Sequence, residues 1–268
     1  MTINVQSLPA SANSVFLPTV SLWQREVVRF VRQRSRVVGA LGTPVVFWLL
    51  IGSGLRHALR LPGAENGGDY LQYAFPGTVV LIVLFTAVFS MISIVEDRHE
   101  GFLQGVLVAP IGRSAIVLGK LLGGTTLALV QAGLFLLLAP LIGVKLTFGV
   151  VFAALGVLTL ISLGLCALGF LLAWSLDSTQ GFHAIINLAL MPMWLLSGAF
   201  FPASGAAGWM AWLMNLNPLT YGVACLRHVL HEGEFLTNAG LPSFGLSLAT
   251  TIVSSTVLII LAVRTVRA

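Results

Sequence analysis

The stretch IVEDRHEGFLQGVLVAPIGR, residues 94 to 113, decides how the rest of the chain is read. It sets Glu96, Asp97, Arg98, His99 and Glu100 between two long apolar runs. Read as one helix, it places Phe102, Leu103, Val106 and Leu107 on one side and Glu96, Glu100 and Gln104 on another. The spacing predicts an amphipathic helix lying at a membrane surface, stopped by Pro110. The runs on either side of it then cross the bilayer.

Composition supports that setting. Of 268 residues, 57% are hydrophobic and only 9% charged, with a mean hydropathy of +0.97. A soluble domain carries roughly 25% charged residues, so a water-facing surface could hardly be covered here. The net charge of +5 sits beside apolar runs, which points to membrane topology and away from nucleic acid as a partner. Cys166 and Cys225, the only cysteines, are too far apart for a disulfide framework or a metal spacing.

A helix needs about 20 apolar residues to cross the hydrocarbon core. The chain offers spans near 37–55, 73–95, 114–142, 148–176, 182–201 and 244–263. The fold class expected is therefore an all-α membrane protein of six transmembrane helices. Residues 1–20 read as a flexible cytoplasmic tail, without the apolar core of a cleaved signal peptide, and 21–268 as one transmembrane domain. Six spans put both termini on one side. Arg25, Arg29, Arg32, Arg34, Arg36, Arg98, Arg113, Lys120, Arg264 and Arg267 fall on that side, against Arg56, Arg60, Lys145 and Arg227 on the other. The excess makes the first side cytoplasmic.

Two further segments are amphipathic or broken. From Ser21 to Arg36, Trp23, Val27, Phe30 and Val31 recur at helical spacing, with Arg25, Arg29, Arg32 and Arg36 around them. Such a helix lies in the interface and sends its arginines to headgroups, or it is a plain topology signal. Between the last two spans, Pro202 interrupts the helix, Trp209 and Trp212 keep the segment apolar, and Asn217-Pro218 breaks it again before Tyr221 and Arg227. Residues 202–232 then form short helices dipping in from the outer face as a gate, or an interfacial helix with a tryptophan belt.

The chemistry that is missing is equally informative. All nine acidic residues fall outside the span cores, whereas ion-coupled carriers keep ionisable groups within the bundle. Asp97 and Glu100 read as solvated or interfacial, and no carboxylate cluster suits an intramembrane metal enzyme. There is no phosphate-binding loop, since Gly119-Lys120 is followed by Leu121. Energy must come from another chain. The polar groups within the spans are mild: Thr78, Thr86, Ser90, Gln131 and Asn187 are available to line a path, or simply to bond between helices.

Three pieces in order carry a family resemblance. Glu100-Gly101-Phe102-Leu103-Gln104 with Leu107, Ala109-Pro110, Arg113 and Gly119-Lys120 resembles the cytoplasmic coupling signature of the ABC transporter type-2 permeases. Leu196-Ser197-Gly198-Ala199-Phe200-Phe201-Pro202 and Asn217-Pro218-Leu219-Thr220-Tyr221 with Arg227 follow in the right places. The resemblance covers nearly all of the chain from residue 21. Gln104 and Gly105 depart from it, where an acid and a larger residue are common.

The resemblance implies an N-terminal interfacial helix, a coupling helix between the second and third spans, and re-entrant helices before the last. It implies a dimer of permeases, formed by a second copy or a paralogue, on two ABC ATPase subunits. ATP and Mg would be bound by those subunits and no cofactor by this chain, which would not itself be an enzyme. The coupling residues would be Glu96, Glu100, Gly101, Phe102, Leu103, Gln104, Leu107, Pro110 and Arg113. Gly101 and Gly105 either let the partner approach or loosen the helix. The expected function is export of a drug-like molecule, a lipid or a lipid-linked glycan across the plasma (inner) membrane. A non-transporting anchor or regulatory subunit is the alternative.

Overall fold

In the computed structural model, residues 15–32, 42, 45–46, 48–50, 70–109, 111–202, 206–231 and 241–267 are described. Along them run α1 (Phe16–Arg32), α2 (Tyr70–Ser90), α3 (Ile92–His99), α4 (Phe102–Val108), α5 (Arg113–Leu136), α6 (Phe148–Ser175), α7 (Thr179–Trp194), α8 (Gly208–Leu216), α9 (Pro218–Leu230) and α10 (Phe244–Arg267). A short 3₁₀ turn, Ala139–Ile142, follows α5, and a π-type turn, Leu195–Ala199, follows α7. No strand occurs among the described residues.

Among the described residues, five helical segments are long and apolar enough to cross a membrane: Leu71–His99, Arg113–Leu136, Phe148–Ser175, Thr179–Ala199 and Phe244–Val266. These correspond to five of the spans expected from sequence. The remaining one, 37–55, lies outside the described residues except for a few positions. One of these, Trp48, packs edge-on against Phe75 and Phe135, with ring centroids 5.6 and 5.5 Å away. The third span is shorter than expected: α5 ends at Leu136, and Gly143, at φ 83, closes the 3₁₀ turn that follows. The N-terminal helix is longer, because residues 16–20, read as tail, form its first turn.

Local chemistry sets several ends. The Thr147 side chain accepts from the Val150 N–H and begins α6, and Ser178 does the same for Gly181 and α7. Each hydroxyl satisfies an N–H that the helix itself leaves unpaired. At the far end of α7, Gly198 turns to φ 73 and breaks the helix.

The core forms where α2, α5 and α6 pack together. Most of the apolar stretch of Leu71–His99 is buried, whereas Thr179–Ala199 and above all Phe244–Val266 leave the larger part of theirs exposed, so α7 and α10 present broad apolar faces outward. Against α5 lies α1, seated by two glycines. A Cβ on Gly119 would stand 2.6 Å from the Leu22 Cβ, and one on Gly123 2.7 Å from the Glu26 Cβ. The spacing Gly119-x-x-x-Gly123 is thus the bed of the N-terminal helix, and that contact brings Glu26 onto the face of α5 that carries Lys120.

Candidate functional site

The charged stretch that opened the sequence does not form one helix. α3 stops at His99, Gly101 adopts the left-handed conformation at φ 76, and α4 begins at Phe102. A Cβ at Gly101 would meet nothing within 4 Å. Glycine is required there by the backbone angle and not by crowding. The break redirects the apolar side: Leu103 is buried, while Phe102, Leu107 and Val108 are 36%, 42% and 87% exposed. Gln104 is also exposed, Arg113 donates to the Val266 carbonyl at 3.0 Å, and Pro110 lies outside the described residues.

Behind the break sits a buried charged junction. The Lys120 ammonium, 2% exposed, donates to Glu26 at 2.6 Å, to the Ser93 hydroxyl at 3.0 Å and to Asp97 at 2.5 Å. Asp97 also accepts from Arg25 through both oxygens, at 2.6 and 3.0 Å, and from Arg29 at 3.0 Å. Arg29 reaches Glu96 at 2.9 Å and the more exposed Glu100 at 3.6 Å. The hydrogen bond to Asp97 raises the Arg25 pKa still further, against the opposing effect of burial. The Arg25 guanidinium also lies 3.7 Å from the centre of the Phe102 ring.

Buried charges are tolerable only when matched and hydrogen-bonded. Arg25, Arg29 and Lys120 here face Glu26, Glu96 and Asp97, with the more exposed Glu100 at the rim, so each buried charge has an opposite one beside it. This corrects two expectations. Arg25 and Arg29 turn inward to carboxylates and not outward to headgroups, and the face of α1 that is fully buried carries Thr19, Leu22 and Glu26. Trp23 is half-buried and donates from its indole to Thr126 at 2.9 Å; Arg32, at the end of α1, is exposed. Asp97, read as solvated or interfacial, is 0% exposed.

The other side of α3 is held as firmly. Arg98 donates to the carbonyls of Trp174 and Leu176, at 2.7 and 3.0 Å, and to the Asp177 carboxylate at 2.8 Å. A guanidinium at the end of α6 meets the carbonyls that the helix leaves free. The base of α3 therefore joins α1, α5 and the α6–α7 turn, while α4 projects beyond it.

At the opposite end of the spans, Arg227 is 1% exposed and not a loop cation. Its Nη2 donates to the Gly198 carbonyl at 2.8 Å, which also accepts from the Tyr73 hydroxyl at 3.1 Å. The Tyr73 ring lies 3.9 Å from the guanidinium carbon, while the Arg227 Nε and Nη1 have no acceptor. Asn217 caps α9 by accepting from the Leu219 N–H at 3.0 Å and donates to the Met193 carbonyl at 2.6 Å. Pro218 is the first residue of that helix, and the Tyr221 hydroxyl donates to the Asn215 carbonyl at 2.9 Å. Pro202 is half-buried, whereas Trp209 and Trp212 stand outward.

The polar groups expected along a path are mostly engaged within the bundle. Thr78 donates to the Ala74 carbonyl at 3.0 Å and Ser90 to that of Ala87 at 2.7 Å. Thr86 donates to the Gln131 side-chain oxygen, leaving the buried Gln131 amide nitrogen without an acceptor. Asn187 alone among them lies on an exposed helix face. Glu26, Ser93 and Arg98 were not singled out as site residues from sequence, and Asp97 and Lys120 were not read as partners of each other or of α1. The available signal was Lys120 enclosed by Gly119 and Gly123, with one acid in the otherwise basic α1.

A family model described as the ABC-2 type transporter matches residues 19–231. The chain belongs to that family. Among curated relatives, a putative transport permease ycf38 of Cyanophora paradoxa is 26% identical over 82% of this chain and 76% of its own length. The daunorubicin resistance ABC transporter permease protein DrrB1 of Streptomyces coeruleorubidus is 25% identical over 87% and 81%. Nodulation protein J of Rhizobium meliloti is 23% identical over 83% and 84%. This ABC-2 permease is thus a multi-pass membrane protein of a family whose members are the transmembrane subunits of ABC transporters and work with an ATPase carried on a separate subunit.

Proposed function

We propose that this permease is the membrane half of an ATP-driven exporter, moving a hydrophobic or amphipathic molecule out of the cytoplasm or inner leaflet. The observation that carries the reading is α4: exposed apolar side chains at Phe102, Leu107 and Val108, joined through Gly101 to a paired charge cluster. An apolar patch of this kind suits a protein partner. Movement of α4 by an ATPase reaches α1 through Arg25 and Arg29, and α5 through Lys120. ATP-driven closure then biases the permease between packed arrangements, with no catalytic group needed in this chain.

In this reading the segment 37–55 is a sixth span, both termini are cytoplasmic, and the membrane is the plasma (inner) membrane. ATP and Mg bind the partner ATPase, present in two copies. Residues 202–232 form an outer gate dipping in from the far side, with Arg227 bracing the break at Gly198. A second permease, a copy or a paralogue, covers α7. That span exposes Gln180, His183, Asn187 and Met191 along one stripe, and hydrocarbon cannot satisfy an amide or an imidazole. The neutral groups within the spans favour an uncharged or amphipathic cargo. The daunorubicin-resistance relative supports a drug-like one.

The test is reconstitution with the cognate ATPase. Wild type is expected to copurify with it and to accumulate labelled amphipathic drug or lipid in inverted vesicles with ATP. Replacing Leu107 and Val108 by aspartate should abolish copurification while leaving the permease folded. Undiminished binding of the ATPase by that variant would refute docking through α4. Binding without transport of any amphipath would leave an anchoring subunit as the function.

A further inference from the structure

The hairpin formed by α8 and α9 carries an apolar face that the bundle leaves uncovered. α8, GWMAWLMNL, has no charged side chain. Trp209, Trp212 and Leu216 recur at i, i+3 and i+7, so they share one face, and they are 66%, 64% and 68% exposed. On the other side, Met214 is fully buried. This orientation is fixed by bonds at the corner of the hairpin. The Thr220 hydroxyl bridges the Met214 and Leu196 carbonyls, at 2.6 and 3.3 Å, and the Asn217 amide holds the Met193 carbonyl at 2.6 Å.

Those bonds also fix the depth of α8. Met193 lies in the last turn of α7, one residue before its end at Trp194 and just ahead of the π-type turn that completes the span Thr179–Ala199. The corner at Asn217 is therefore level with the last turns of a membrane-crossing helix, and not out in water. At that level the surroundings pass from hydrocarbon to headgroups. Indoles favour that zone, since an apolar ring and an N–H donor are both served there. An uncharged face with two tryptophans and a leucine matches it.

We propose that the Trp209–Trp212–Leu216 face of α8 is a lipid-binding surface, seated in the interfacial layer of the outer leaflet. Its placement on the outer side rests on the topology proposed above. Through Asn217 and Thr220 the same surface sets the height of the π-type turn at Leu195–Ala199, so the leaflet holds one side of the break that Arg227 braces on the other.

The experiment uses the full chain in liposomes, with a nitroxide placed by Trp212→Cys or Leu216→Cys in turn. Cys166 and Cys225 are both buried and are left in place. Collision with oxygen, which concentrates in lipid, is compared with collision with a water-soluble nickel chelate. Labels at both positions should meet oxygen strongly and the chelate weakly, while one at Met214→Cys should meet neither. Free access of the chelate at 212 and 216 would mean a water-facing helix and overturn the proposal. Shielding from both reagents would mean that protein, including a second copy, covers the face, and would overturn it equally. With the label at 216, a Trp209→Ser/Trp212→Ser variant should lose its preference for oxygen; an unchanged preference would also count against the proposal. Labelling of Ala207→Cys by an impermeant maleimide in intact cells tests the sidedness alone. Its failure removes the outer-side reading while leaving the lipid contact standing.

Discussion

Replacing Lys120 by methionine removes the cation on which two carboxylates converge while roughly keeping its volume. In wild type the ammonium is 2% exposed, 2.6 Å from Glu26 and 2.5 Å from Asp97. Breaking a buried pair by deleting one partner costs ~3–5 kcal/mol. The loss here falls at the lower end. Asp97 retains Arg25 and Arg29, while Glu26 retains Arg25 at 3.2 Å and Ser93 at 2.9 Å. About 3 kcal/mol lowers the folded-to-unfolded ratio roughly a hundredfold. Removing Glu26 as well, in Glu26→Met/Lys120→Met, leaves Asp97 paired with Arg25 and Arg29, so no buried charge is stranded. Apolar replacement of a whole buried pair is commonly neutral or stabilising. The double variant should therefore regain most of what the single lost, a coupling of about 2–3 kcal/mol. Unfolding of the purified permease in mixed micelles, titrated with a denaturing detergent and followed by circular dichroism, measures both. A Lys120→Met protein as stable as wild type, or a double variant as unstable as the two singles summed, would refute the ionic reading of the junction.

Gly123→Leu should push α1 off α5, because the added Cβ would fall 2.7 Å from that of Glu26; a loss of ~1–3 kcal/mol should accompany faster amide exchange across residues 16–32. Gly101→Ala places a Cβ at φ 76, costing ~1–2 kcal/mol with nothing within 4 Å of the added atom, so insertion should survive while ATP-driven transport falls in vesicles. At the far end, Tyr73→Phe removes one of two donors to the Gly198 carbonyl and should cost ~0.5–1.5 kcal/mol. Arg227→Met strips the bond of 2.8 Å to that same carbonyl and should lower the midpoint of thermal unfolding further than Tyr73→Phe does.

Much of the frame was legible without tertiary information. The apolar runs found five of their counterparts as span-length helices. The interruption at Asn217-Pro218 falls where local rules place a helix boundary. The amphipathic reading of 94–113 went astray at Gly101. Side-chain periodicity continues across a glycine whether or not its backbone turns left-handed, and the turn to φ 76 is what separates the buried acids of α3 from the exposed apolar groups of α4. The arginines of α1 were misplaced for a related reason. A helical pattern says which residues share a face, not what that face meets.

The sequence by itself determined that the chain belongs in a bilayer and where five of its span-length helices lie. These follow from composition, length and nearest-neighbour chemistry, all of which act over a few residues. Only the tertiary structure decided that the charges at one end are buried and paired. Lys120 and Glu26 are 94 positions apart, and Arg25 and Asp97 are 72 apart. Coulombic energy depends on separation and on the polarity of the surroundings, and both are set by the neighbouring helices. Two glycines on α5 let α1 approach closely enough for the surface acid of one helix to become the counter-ion of another.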